Sequence, residues 1–212
     1  MKHKRLEMLF GEQEHSELKD KKILLLGVGG VGSFCLDCLY RSGIEDITIV
    51  DFDVYDESNQ NRQMWSELHL GESKVDALKT HYPKVIAINK KIDKAWVEDF
   101  DFDPYDLVLD AIDDIHAKIA LVHKCHTKMI ASMGSAKRLD PTQMRFVSIW
   151  KTEGDKFASK MRYELRKSGF KGDYKVLFTK EQPHCKEKGS FVGVTGSFGL
   201  ALCAKAIERL RG

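Results

Sequence analysis

An aliphatic run between Lys22 and Gly27, Ile23-Leu24-Leu25-Leu26, ends in Gly27-Val28-Gly29-Gly30-Val31-Gly32. A strand that is apolar at every position must be buried on both faces, which requires a mainly parallel sheet with helices on each side. After Gly30, the residues Val31, Phe34, Cys35, Cys38 and Leu39 recur at helical spacing until Gly43, and a second strand begins at Ile47 and runs to Val50. This is a β-α-β unit. Its glycine loop opens a helix whose first N–H groups face outward, which suits an anionic ligand.

Further along, the pattern predicts a helix over 72–82 and strands over 85–88, 106–112 and 129–132. Longer, antiparallel strands are predicted over 143–150 and 174–178, around a helix near 156–167, and a last helix over 195–211. The fold class is therefore α/β, a Rossmann-like doubly wound sheet that is parallel in the N-terminal half and carries antiparallel strands in the C-terminal half. With 212 residues, 42% of them hydrophobic, one domain spanning 1–212 is expected. No stretch approaches the roughly 18 apolar residues of a membrane span, and the polar start after Met1-Lys2-His3-Lys4-Arg5 is unlike a signal peptide. Five cysteines without a disulfide spacing suit a reducing, cytoplasmic compartment.

In the glycine run, Gly27 suits a tight turn, Gly29 the close approach of a phosphate, and Gly32 close packing of helix on strand. Asp51 follows Gly32 by nineteen residues at the end of the second strand, where an acid accepts ribose hydroxyls. Up to this point NAD, FAD and ATP fit equally. Asp51-Phe52-Asp53 is followed by Ser58-Asn59-Gln60-Asn61-Arg62-Gln63 and then by Lys74 near a helix start. An arginine and a lysine in that order suit a triphosphate, whereas hydride transfer has no need of them. Asp113, just past the end of the 106–112 strand, sits where ligands of open α/β sheets gather.

The order Gly27, Gly29, Gly30, Gly32, Asp51, Asp53, Ser58, Asn59, Arg62, Gln63, Lys74, Asp113 resembles the E1-like adenylating enzymes. These are related to the ubiquitin-activating proteins and to bacterial relatives in molybdopterin and thiamin synthesis. The resemblance covers most of the chain, including the glycine-rich start of the final helix at Gly193–Gly199, and leaves 151–190 without a clear match. It implies ATP and Mg²⁺ as cofactors, with Asp113 as the metal ligand. Asn59 would orient a phosphate or ribose oxygen, and Arg62 and Lys74 would neutralise charge as pyrophosphate leaves. It also implies a homodimer in which Arg5 reaches the partner's site.

Within that family, Ala131-Ser132-Met133-Gly134 leading to Lys137-Arg138-Leu139-Asp140-Pro141-Thr142 resembles the branch that dehydrates threonylcarbamoyladenosine in tRNA. Carrier-protein activators usually hold zinc through two C-x-x-C pairs. Here Cys35 and Cys38 form one pair inside a helix, read as apolar packing, and Cys125, Cys185 and Cys203 stand alone. The implied reaction is adenylation of a carboxylate followed by ring closure. The alternatives are adenylation of a small carrier protein's C-terminus, a catalytically silent subunit of the same fold, and a nicotinamide dehydrogenase. Some relatives use a sulfur-transfer partner, and Cys185, beside His184 in a polar loop, is read as a lone cysteine outside the active site.

Charge is unevenly distributed. From Lys151 to Lys188 there are eleven Lys or Arg against six Asp or Glu, whereas the remainder is acidic on balance. Lys156, Lys160, Arg162, Arg166 and Lys167, with Lys137 and Arg138, are candidates to track tRNA phosphates; a solvated helix face explains the helical set equally well.

Overall fold

A computed structural model describes residues 3–187 and 189–211; Lys188, the end of the basic segment, lies outside them. The aliphatic run forms β1 (Ile23–Leu26), every residue of it buried. β1 is central, parallel to β2 (Ile47–Asp51) on one side and to β4 (Leu107–Asp110) on the other. Beyond β2 lies β3 (Ile86–Asn89), and beyond β4 come β5 (Met129–Ser132), β7 (Lys175–Thr179) and β6 (Met144–Ser148). The chain winds outward through β2 and β3 and then returns to β4. A switch point therefore falls between β1 and β4, where the carboxyl ends of the strands open a crevice.

The antiparallel strands expected in the C-terminal half are β6 and β7. β6 and β7 do run against each other, but β7 is parallel to β5, so only β6 at the sheet edge is reversed. Helix α7 (Lys156–Lys167), which lies between β6 and β7, lets the chain cross over and return antiparallel to β6 and parallel to β5.

Alternate residues of β1 face opposite cores, as a pleated strand requires. Ile23 and Leu25 join a core that includes Leu36 and Leu39 of α3 (Gly32–Arg41) and Phe198 and Leu202 of α8 (Val192–Leu210). Leu24 and Leu26 join Leu121 and Val122 of α6 (Ile115–Cys125) and Met161 and Leu165 of α7. Each fully buried leucine contributes about 1.5–3 kcal/mol. Residues Ala158, Met161 and Leu165 give α7 its buried stripe, and the Asp155 carboxylate caps it by accepting the Phe157 N–H at 2.8 Å.

Four helices have no counterpart in the sequence reading: α1 (Lys4–Phe10), α2 (Glu12–Lys19), α5 (Lys94–Asp99) and α6. The helix predicted over 72–82 is α4 (Lys74–His81), and the last one starts three residues earlier than predicted. The reading of the cysteines also changes. Cys38 on α3 is disulfide-bonded to Cys203 on α8, their Cα atoms 6.1 Å apart across 165 residues of sequence. Such a pairing depends on how two distant helices pack, which cysteine spacing does not encode. Cys35 is fully buried among apolar neighbours, as expected. No helix among the described residues is long and apolar enough to cross a membrane.

Candidate active site

The glycine loop leaves β1 through Gly27, whose φ of 82° is in the left-handed region. A side chain there would also collide with Ala111 beyond β4, since a Cβ would lie 2.9 Å from its carbonyl oxygen. Gly32 is more constrained, because its Cβ would fall 1.9 Å from the Gly27 carbonyl oxygen. The first turn of α3 is thereby pressed against the strand end it follows. Further along, α8 crosses α3 so closely that a Cβ on Gly199 would lie 2.3 Å from the Val31 carbonyl oxygen.

Asp51, at the end of β2, is turned toward this loop and buried. One carboxylate oxygen accepts the Val28 N–H at 2.8 Å and the other accepts the Asp53 N–H at 2.9 Å. The acid read as a ribose anchor thus also fixes the loop and the chain after β2. Asp53 follows at the surface, where its carboxylate meets the buried Lys74 ammonium at 3.0 Å. The Lys74 N–H also bonds the Asp53 carbonyl oxygen, so both ends of this pair are held.

Asn59 is buried in a short 3₁₀ turn, Glu57–Asn59, capped by Asp56. The turn delivers Arg62 against the loop: a Cβ on Gly30 would touch the Arg62 side chain at 3.3 Å and Thr195 of α8 at 3.4 Å. The Arg62 guanidinium bonds the Ser58 carbonyl and the Asn61 side chain. Next to it, Gln63 is 8% exposed, and its buried side-chain oxygen has no hydrogen-bond partner. Its amide nitrogen would lie 3.9 Å from a Cβ on Gly29. A buried amide with one oxygen unused, facing a glycine loop, suits a ligand that supplies donors.

Asp113 and Asp114 follow β4 and divide two roles. Asp114 caps α6, accepting the Ala117 N–H at 2.7 Å. Asp113 is exposed and makes no hydrogen bond or ion pair with a described residue. A single carboxylate at the strand end fits Mg²⁺, which takes its other oxygens from phosphates and water. No cluster of three or more His, Cys, Asp or Glu side chains that could hold a metal occurs among the described residues.

The loop, Asp51, Asp53, Asn59, Arg62 and Lys74 are brought together around the β1 and β2 ends, with Asp113 across the switch point. Arg5 is not among them. It is exposed on α1 and makes no hydrogen bond or ion pair with a described residue.

The sequence reading missed a buried polar group at the neighbouring strand ends. The Lys118 ammonium of α6 meets the Asp110 carboxylate at 2.8 Å and the Ser132 carbonyl at 2.9 Å, with both charged side chains out of solvent. Burial pushes the Asp110 carboxyl up and Lys118 opposes that shift. Its sequence signal is a lysine inside the buried stripe Ala117, Lys118, Leu121, Val122, Cys125. Beyond β5, Lys137 takes a φ of 66°, and Arg138 after it is 5% exposed while Leu139 is 57% exposed. Arg138 is therefore withdrawn from the proposed phosphate-tracking set. Glu181 holds this turn, its two oxygens accepting the Leu139 and Asp140 N–H groups at 2.9 and 3.0 Å. A hollow of about 490 Å³ beside this turn is lined by Leu139, Asp140, Gln143, Lys180, Glu181, Gln182 and His184.

The ThiF family model matches residues 3–212. The tRNA threonylcarbamoyladenosine dehydratase of Bacillus subtilis is 38% identical over 189 residues, covering 84% of this chain and 74% of that protein. The Escherichia coli protein of the same name is 30% identical over 171 residues, covering 74% of this chain and 63% of that one. A solved structure of E. coli tRNA N6-threonylcarbamoyladenosine dehydratase in complex with ATP superposes with a TM-score of 0.91 at 28% identity, covering 99% of this chain and 93% of the other.

Proposed function

The chain belongs to the ThiF family, and from that membership we propose that it is a single adenylating unit over 1–212 that uses ATP to dehydrate N6-threonylcarbamoyladenosine in tRNA. The observation that carries this reading is the set of charges around the glycine loop: Lys74 held by Asp53, Arg62 against Gly30, and Asp113 across the switch point. The substrate follows from the relatives, which carry that activity in their names.

In the proposed reaction a carboxylate oxygen of the threonyl group attacks the α-phosphorus of ATP. The bond to pyrophosphate breaks and an acyl-adenylate forms. The neighbouring carbamoyl group then attacks the activated carbonyl and gives up an N–H proton, closing a ring, and AMP departs with the former carboxylate oxygen. The net change is loss of one water. Ring closure is intramolecular and needs no protein nucleophile, so the site has to supply position and charge. Backbone N–H groups at the start of α3 cradle phosphate, Lys74 and Arg62 offset the charge on the leaving pyrophosphate, and Asp113 would hold Mg²⁺, which supplies Lewis acidity at the phosphates.

The homodimer belongs to the same proposal. Beside Arg5 on α1, Met8 and Leu9 are 77% and 74% exposed, an apolar edge that supports association with a second copy and delivery of Arg5 to its site. For tRNA, α7 offers exposed Lys156, Lys160, Arg166 and Lys167 with the exposed ring of Tyr163 among them. Arg162 is not part of this face, since it is half-buried and bonds Thr152. Cys185 hydrogen-bonds weakly to the Glu187 carbonyl at 3.5 Å. A cytoplasmic location follows from the substrate.

Release of pyrophosphate from ATP, measured with tRNA carrying the modified adenosine, tests this reading. Asp113→Ala should reduce the rate on the order of a hundredfold or more with folding intact. Unchanged turnover would remove Asp113 from the mechanism.

A further inference from the structure

Arg138 is a mostly buried arginine without a hydrogen-bond or ion-pair partner among the described residues. It is 5% exposed, its Nε is buried with no hydrogen bond, and its guanidinium forms no hydrogen bond or ion pair with any described residue. A guanidinium whose stem and Nε are buried and whose remaining donors have no partner is open to an anion. The backbone enforces the placement. Lys137 adopts a left-handed φ of 66°, a conformation unfavourable for a residue with a side chain, and the next two residues invert the usual arrangement, with arginine inside and Leu139 outside. Glu181 and the backbone groups of His184 and Gly189 hold that inversion, through the Leu139 and Asp140 N–H groups and through the bonds of Lys137 to Gly189 and His184.

The position of Arg138 indicates what it awaits. It lies on the chain leaving β5, the strand beside β4, which leads to Asp113, and so on the opposite side of β1 from β2 and Asp51. The Asp155 carboxylate interacts electrostatically with Arg138 without forming an ion pair, and its Oδ2 is itself buried without a hydrogen bond. Asp155 can hold the guanidinium in place electrostatically and leave its planar fork of donors open. Such a fork matches the two oxygens of a carboxylate.

We infer that Arg138 is the anchor for the substrate's carboxylate, gripping it beside the α-phosphate, with Asp155 as a positioning residue for the guanidinium. This rests on the reading of the chain as an enzyme that activates a carboxylate. An RNA phosphate has the same oxyanion chemistry, and the experiment separates the two.

The probes are the free nucleoside N6-threonylcarbamoyladenosine, its analogue with a carboxamide in place of the carboxylate, and unmodified tRNA. Each is titrated calorimetrically into the wild-type protein, Arg138→Gln and Arg138→Lys, and thermal unfolding and ATP binding of each protein are followed in parallel. Wild type should bind the carboxylate about 10- to 100-fold more tightly than the amide. Arg138→Gln should bind both alike, and Arg138→Lys, which keeps the charge and loses the fork, should fall between. If Arg138→Gln does not fold, the reduced preference of Arg138→Lys decides. A carboxylate preference that survives in the variants, or that wild type lacks, overturns the assignment. So does a loss of affinity for unmodified tRNA with the carboxylate preference intact, which would place Arg138 on an RNA phosphate. The titrations require no turnover, so a wild-type protein that fails to dehydrate tRNA counts against the proposed function, while the response of Arg138 is read independently.

Discussion

The Asp51 carboxylate accepts the Val28 N–H at 2.8 Å, tying the end of the second strand to the middle of the glycine loop. Its other oxygen accepts the Asp53 N–H, so one buried side chain organises two segments that face the nucleotide. Asp51→Ala leaves both N–H groups without an acceptor and should destabilise the protein by about 3 kcal/mol while weakening ATP binding. Denaturant unfolding and ATP titration check this. An unchanged midpoint would show that the loop holds its shape without the carboxylate.

The Lys74 ammonium, 3.0 Å from Asp53, is buried and pre-positioned. Lys74→Ala should lower the rate of pyrophosphate release by about 10²- to 10³-fold, because a donor aimed at developing charge is lost. Single-turnover kinetics at saturating ATP measure it. A variant that loses only affinity for ATP would assign Lys74 to binding alone.

Gly32 has no room for a methyl group, with the Gly27 carbonyl oxygen 1.9 Å from where a Cβ would stand. Gly32→Ala must push the first turn of α3 away from β1, and we expect a cost of about 3 kcal/mol, or failure to fold, with loss of ATP binding. Thermal unfolding tests it, and a variant that melts with the wild type would contradict the close packing. Gly71, where a Cβ would meet nothing within 4 Å, provides the comparison: its φ of 80° alone makes Gly71→Ala mildly destabilising.

Glu181 supplies a pH dependence. Burial raises its carboxyl, but the Leu139 and Asp140 N–H groups and His184 outweigh that and hold it below the usual carboxylate range. A lowered folded-state value means the group stabilises the protein above the unfolded carboxylate range near pH 4, and that contribution is lost as pH falls through the folded value. Glu181→Gln should therefore cost about 1–2 kcal/mol at pH 7, with the difference from wild type shrinking toward pH 3. Urea unfolding at several pH values measures it. A difference that stays constant with pH would mean that the charge of Glu181 plays no part.

Much of the nucleotide side was legible from local sequence, because its determinants are local. The glycine run, the acid after the second strand and the Arg62 and Lys74 spacing all lie within some fifty residues, and the helix expected near 156–167 is present with those bounds. What was not legible depends on distant packing. Lys118 reads as a surface lysine until β4 puts Asp110 beneath it, and Arg138 reads as a phosphate-tracking charge until the turn at Lys137 points it inward. Likewise, the bond between Cys38 and Cys203 exists because α3 and α8 cross, a contact set by the glycines of α8 rather than by cysteine spacing.

The central claim is tested most directly by mass spectrometry of nucleosides from tRNA incubated with the purified protein, ATP and Mg²⁺. The account predicts ATP-dependent loss of one water from threonylcarbamoyladenosine, strongly slowed in Lys74→Ala. A nucleoside of unchanged mass, with pyrophosphate released only when a small carrier protein is added, would contradict it.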